Sequence, residues 1–150
     1  MKIYLASDHG GFKYKEEIKK HLQEKGHEVE DCGAYELNPG DDYPDFVIPM
    51  SEKVSKEEGS FGTILGRSGN GELIAANKVK GIRAVMGCSP KMAKIAREHN
   101  DANILSLGAD FLTLQEAIDC VEVFLKTKFS KVGRHVRRIN KIIDYESSKY

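Results

Sequence analysis

Short apolar runs alternate along this chain with longer stretches whose apolar residues recur every three or four positions, a pattern that predicts βα units on a parallel sheet. Lys2 to Ala6 (KIYLA) predicts a first strand. Tyr14, Ile18, His21 and Leu22 then share one helical face, and Gly26 stands where such a helix would end. Residues 27–32 (HEVEDC) predict a second strand, and the polar GAYELNPGDDYP behind it reads as a loop. Pro44 and Asp45 open a helix through about Lys56, with Pro49 tolerable only near its first turn. Phe61 to Leu65 (FGTIL) is the third strand, after which GRSGNGE turns directly into the helix LIAANK. Ile82 to Met86 predicts a fourth strand, Pro90 to about His99 a helix, and Ile104 to Leu107 a fifth strand. Leu114, Ile118, Val121 and Leu125 line the next helix, and a last one from Arg134 to about residue 146 carries Val136, Ile139, Ile142 and Ile143 on one face.

Five strands alternating with helices give the α/β class, a doubly wound five-stranded parallel sheet with helices on both faces. The length of 150 residues and 40% hydrophobic content suit one domain around one ordinary core, and no linker, repeat or low-complexity tract divides it. Lys plus Arg and Asp plus Glu number 23 each, so no overall field draws the chain to nucleic acid or to an anionic membrane, and any anion site must be local. Cys32, Cys88 and Cys120 are odd in number and lack CxxC spacing, which predicts buried free thiols in a reducing compartment. The apolar run at the N-terminus is too short for a signal peptide or a membrane span, so a cytoplasmic address is expected.

Ligands of a doubly wound sheet bind beyond the carboxyl ends of its strands, which directs attention to the loops there. The first strand is followed by Ser7-Asp8-His9-Gly10-Gly11 and the third by Gly66-Arg67-Ser68-Gly69-Asn70-Gly71-Glu72. The helix after the fourth strand ends in His99-Asn100, and the expectation is that Asp8, His9, Glu72 and His99 gather at one end of the sheet. Three glycines before a helix let backbone N–H groups approach an anion, yet the loop is neither a Walker A sequence nor a full GxGxxG. Glu72 at its mouth is a carboxylate in a reactive place. A first-turn helix acid, an N-capping Asp8 and a His99 that merely complements a helix end are the alternatives.

SDHGG, DDYPDF, GRSGNGELIAANK, GIRAV, AREHNDANIL and GRHVRRI, in that order, resemble the ribose-5-phosphate isomerase B family from Lys2 to about Ile143. The resemblance implies a Rossmann-like fold, no cofactor and no metal. It also implies a homodimer, or a dimer of dimers, with active sites shared between subunits and the last helix packed on the partner. The ligand it implies is a small phosphorylated sugar, with ribose 5-phosphate and ribulose 5-phosphate interconverted through a cis-enediolate. By the same resemblance Glu72 is the base, in the branch that does not place a Cys at the position of Gly66. Ser68 relays a proton, His99 with Asp8 opens the sugar ring, and His9, Tyr43 and Asn100 contact the sugar. Gly69, Asn70 and Gly71 hold the enediolate oxygens, while Arg134 and Arg138 clamp the phosphate from the partner subunit.

Two residues depart from the family pattern. Asp110 stands where a phosphate-binding Arg is usual, and Arg67 where Gly is more frequent. The expectation drawn from them is that Arg67 pairs with Asp110 at the rim, leaving the phosphate mainly to the partner's arginines. The rival readings are an isomerase of a 6-phosphate hexose of the allose or galactose type, and a non-catalytic phosphate- or nucleotide-binding module.

Overall fold

A computed structural model describes residues 1–149. The elements run β1 (Lys2–Ser7), α1 (Phe12–Glu24), β2 (Glu28–Asp31), α2 (Pro44–Lys56), β3 (Phe61–Gly66), α3 (Asn70–Asn77), β4 (Ala84–Met86), α4 (Pro90–Asn100), β5 (Ile104–Gly108), α5 (Leu114–Lys126) and α6 (Gly133–Lys149). All five strands are parallel, in the order β2-β1-β3-β5-β4. The central strands β1, β3 and β5 are apolar on both faces, as strands covered by helices on each side must be. Ile3, Leu5, Leu65, Leu105 and Leu107 face α1, α4 and α5, whereas Tyr4, Ala6, Ile64 and Ile104 face α2 and α3.

The chain leaves β1 toward β2 through α1 and returns across the sheet to β3 through α2. The direction of winding therefore reverses between β1 and β3, and the loops after those two strands flank the switch point. No helix among the described residues is long and apolar enough to cross a membrane.

Several boundaries differ from the sequence expectation for local reasons. The fourth strand begins at Ala84 rather than Ile82, because the Ile82 N–H closes a turn onto Val79 and the Arg83 N–H is taken by the Asn103 side chain. Pro49 lies inside α2 beyond its first turn; it is exposed, so solvent can serve the carbonyl that proline leaves unpaired. The thiols also divide. Cys120 is in the core and Cys32 half-buried, and burial pushes each up to about 11, but Cys88 is exposed, contrary to expectation.

Helix α6 lies beside the amino ends of the strands, where Glu146 accepts a hydrogen bond from the Gly81 N–H at 3.0 Å. Of its predicted apolar face only Ile139 is buried within the chain; Ile142 and Ile143 are 56% and 39% exposed.

Candidate active site

Gly69 ends the β3 loop in the left-handed region at φ +83°, a conformation that suits glycine, and a Cβ there would lie 2.9 Å from the Ser106 hydroxyl. Ser106, buried on β5, donates to the Gly69 carbonyl at 2.8 Å and so fixes the loop from below. The Ser68 hydroxyl accepts from the Asn70 N–H at 3.1 Å. Helix α3 therefore starts with its N–H groups at the carboxyl end of the sheet, and Glu72 is its third residue.

Glu72 is only 4% exposed. Its carboxyl group lies directly against the Cα of Gly66, so closely that any Cβ at position 66 would overlap Oε1 and the carboxyl carbon. Burial pushes the Glu72 carboxyl above its ordinary value; the charge of Asp8 adds to this, and its own N–H and His9 draw it part of the way back. A partly desolvated carboxylate of raised basicity is what proton abstraction next to a carbonyl needs near neutral pH. The Tyr43 ring packs over Gly71, where a Cβ would come within 2.7 Å of the phenol oxygen, and so walls the same recess.

The β1 loop supplies the opposite side. Asp8, 8% exposed, accepts from the Gly10 N–H at 2.9 Å. Asp41 Oδ1 accepts from the His9 backbone N–H at 3.0 Å and lies 2.7 Å from His9 Nδ1, which leaves Nε2 for a ligand. Asp8, His9 and Asp41 also place their ligand-type atoms within 4.8 Å of one another. The His9–Asp41 hydrogen bonds account for that clustering without an ion. The loop is braced from β2: Ser7 exchanges backbone hydrogen bonds with Gly33 and Ala34 at 2.8 and 2.7 Å, and Asp31 accepts from the Gly33 N–H. Burial alone would raise the Asp31 carboxyl, but hydrogen bonds from the wholly buried Lys15 and from Lys19 hold it below its ordinary value.

His99 and Asn100 are elsewhere, which corrects the expected convergence of His99 with Glu72. In a βα unit the helix runs back against the strand, so the last turn of α4 reaches the amino end of the sheet. Asn103, three residues after Asn100, accepts from the Gly62 N–H at the start of β3, and the six residues of that strand put roughly 16 Å between this end and the Gly66 loop. Both residues are exposed, and the His99 ring stacks on His135 of α6 with centroids 4.3 Å apart. His135 is buried with Nδ1 3.2 Å from the Ser130 hydroxyl, and burial together with His99, Arg134 and Arg138 lowers its pKa. Arg134 and Arg138 are exposed on the same helix. Within one chain two groups thus form: Glu72, Asp8, His9, Tyr43 and the glycine loop at one end, and His99, Asn100, Arg134 and Arg138 at the other.

The family model described as Ribose/Galactose Isomerase matches residues 3–142. The chain belongs to the ribose/galactose isomerase family. Ribose-5-phosphate isomerase B of Mycolicibacterium paratuberculosis is 44% identical over 146 residues, 97% of this chain and 92% of that one. The crystal structure of ribose-5-phosphate isomerase B from Mycoplasma genitalium with bound ribulose-5-phosphate superposes with a TM-score of 0.94 at 44% identity, covering 97% of this chain and 96% of that one. The Clostridium thermocellum ribose-5-phosphate isomerase B gives 0.95 at 43% identity, with full coverage of both chains.

Two expectations drawn from the resemblance acquire a geometry. At Gly66, where the resemblance implies a Cys base in the other branch, the Glu72 carboxyl fills the space. Arg67 and Asp110 do lie side by side, with the Asp110 N–H donating to the Arg67 carbonyl at 2.9 Å, but their charged groups are 4.0 Å apart and 66% and 55% exposed. Such a pair contributes little. Asp41, Ser106 and Lys15 are absent from the sequence reading. Only Asp41 had a visible signal, its position in the DDYPDF block.

Proposed function

We propose that this chain interconverts ribose 5-phosphate and ribulose 5-phosphate, with Glu72 taking the proton from C2 of the open aldose and returning it to C1. The observation that carries the reading is the buried Glu72 carboxyl at the mouth of the glycine loop with Asp8 and His9 beside it, in a chain 44% identical to ribose-5-phosphate isomerase B over nearly its whole length. One carboxylate serves both transfers because C1 and C2 are adjacent in a planar cis-enediolate. The developing negative charge falls on oxygens facing Gly69, Asn70 and Gly71, where the Gly69 and Gly71 N–H groups act as preorganised donors, each key donor contributing roughly 3 to 4 kcal/mol, while the Asn70 N–H holds the Ser68 hydroxyl. Ser68 passes a proton between the two oxygens.

Ring opening is assigned to Asp8 together with His99, the latter supplied by a second copy of the chain. His99, Asn100, Arg134 and Arg138 stand together at the far end of the sheet, beside an α6 face whose Ile142 and Ile143 the described residues leave exposed. A C2 dimer that covers this face and brings those residues to the neighbour's Glu72 accounts for both facts.

The activity is tested by assaying ribose 5-phosphate, allose 6-phosphate and galactose 6-phosphate in the presence of EDTA. The expected outcome is turnover of the pentose, unchanged by the chelator. Turnover confined to a hexose would replace the substrate, and activity lost to EDTA and restored by a divalent ion would make Asp8, His9 and Asp41 a metal site. The shared site is tested by mixing a Glu72→Gln chain with a His99→Ala/Arg134→Ala chain, each nearly inactive alone. Random assortment puts half the chains into mixed dimers with one intact site of two, so about a quarter of wild-type activity returns. Absence of any recovery after confirmed subunit exchange would place both groups in separate functions.

A further inference from the structure

We propose that the phosphate is bound largely within a single chain, by Arg67 and Lys13 acting with His9. The inference rests on the isomerase reading and refines where that substrate's anionic end lies. A cleft of about 380 Å³ opens between the start of α1 and the β3 loop, lined by His9, Lys13, Tyr14, Arg67 and Asp110 among others. Its position follows from two glycines. A Cβ at Gly10 would lie 2.6 Å from Arg67 Cγ and 2.9 Å from its backbone N, so glycine there lets Arg67 cross over the start of α1. A Cβ at Gly11 would drive into the Leu65 backbone, so glycine also lets α1 begin close against β3.

Three features suit the cleft to a dianion. Two full cations line it, and neither is committed: Lys13 forms no ion pair among the described residues, and the only partner of Arg67 is Asp110 at 4.0 Å with both groups mostly in solvent. Helix α1 has Gly11 at its N-cap, with no side-chain cap and no acidic residue in its first turn, so no side chain of its own neutralises its positive end. His9 lines the cleft from the loop after β1, and that loop runs beside the Gly66 end of β3 against which the Glu72 carboxyl lies, which sets the cleft near the base. A guanidinium released from a loose exposed pair can give a phosphate two parallel hydrogen bonds. Asp110 opposes the phosphate from the same wall, so the substitution of Asp for a cation there is offset by the arrival of Arg67 in the neighbouring loop. Arg134 and Arg138 of a partner would then add to a site already formed.

This assignment reverses the expected role of Arg67 as a mere counter-ion to Asp110, and a double-mutant cycle separates the two. The probes are ribose 5-phosphate and, as a competitive inhibitor, inorganic phosphate. Arg67→Ala is expected to raise both the KM of the sugar phosphate and the Ki of phosphate by about tenfold, the size of a lost charge-assisted contact, with a much smaller change in kcat. Lys13→Ala should move both in the same direction, and Arg67→Lys should recover part of the loss. Asp110→Ala should tighten both probes by the same factor whether position 67 is Arg or Ala. An unchanged phosphate Ki in Arg67→Ala, or an Asp110→Ala benefit seen only when Arg67 is absent, would overturn the proposal. Should the wild-type chain fail to isomerise ribose 5-phosphate, the isomerase reading falls. Calorimetric titration with inorganic phosphate then still decides the cleft: weaker binding to Arg67→Ala supports it, and equal binding overturns it.

Discussion

Replacing Glu72 by Gln is expected to lower kcat for ribose 5-phosphate by roughly 10²- to 10⁴-fold, the range that a positioned general base supplies, while KM changes little. The amide fills the same space against Gly66 but accepts no proton. Stability should move the other way. Because the folded protein raises the Glu72 carboxyl, the charged form is disfavoured by folding, and the stability this group contributes is present below the ordinary glutamate value of 4.5 and lost as pH rises through the raised folded value. Above that value the wild type has lost it, whereas an amide at position 72 never carries the charge. The Gln variant should therefore melt at the same or a higher temperature than wild type, and calorimetry at pH 7 checks this. The wild-type kcat/KM profile should correspondingly show an acid limb above 4.5. Retention of more than about a tenth of wild-type kcat would remove Glu72 as the base.

Gly66→Ala is expected to lower kcat by about 10²-fold without touching any group that binds the sugar, since a displacement on the order of 1 Å in a reacting group has that effect. The added Cβ falls on the Glu72 carboxyl, which must rotate away from its recess. Because position 66 is buried, the variant could also lose some stability by overpacking, and a comparison at constant fold is needed. The comparison is Gly66→Ala made in the Glu72→Gln background. If the alanine acts through Glu72, it should cost little further turnover there. A full additional loss in the double variant would mean that the loop itself, and not the carboxylate, had been disturbed.

Much of the architecture is legible in the sequence because it rests on local periodicity. Residues 44–56 read as a helix from Pro44 and the apolar spacing behind it, and α2 has those bounds. Alternation of elements predicts a parallel sheet with its ligand loops at the carboxyl ends of the strands, and with it the placement of Asp8, His9 and Glu72; the strand order that sets the switch point appears only in the fold. What the sequence leaves out is of two kinds. Contacts between distant segments carry no spacing signal: Asp41 reaches His9 across 32 positions, and Ser106 reaches Gly69 across 37. The other kind is a misreading of direction. His99 sits at the end of a helix that starts at the carboxyl end of the sheet, and treating the whole helix as belonging to that end ignores that its far terminus returns to the other. The antiparallel run of helix and strand in a βα unit would have placed it correctly.

The contact between Glu72 and Gly66 also bears on how such an enzyme can change by mutation. Two loop positions compete for one volume: a side chain grown at 66 displaces the carboxylate of 72, and a carboxylate at 72 requires that 66 stay bare. A lineage exchanging a carboxylate base for a thiol at position 66 therefore cannot carry both in working order along the way. Either residue changed first leaves a poor catalyst, so the exchange demands simultaneous substitution, a duplicated gene or a period of relaxed selection. The two kinds of base should accordingly mark separate ancient lineages rather than interchange among near relatives.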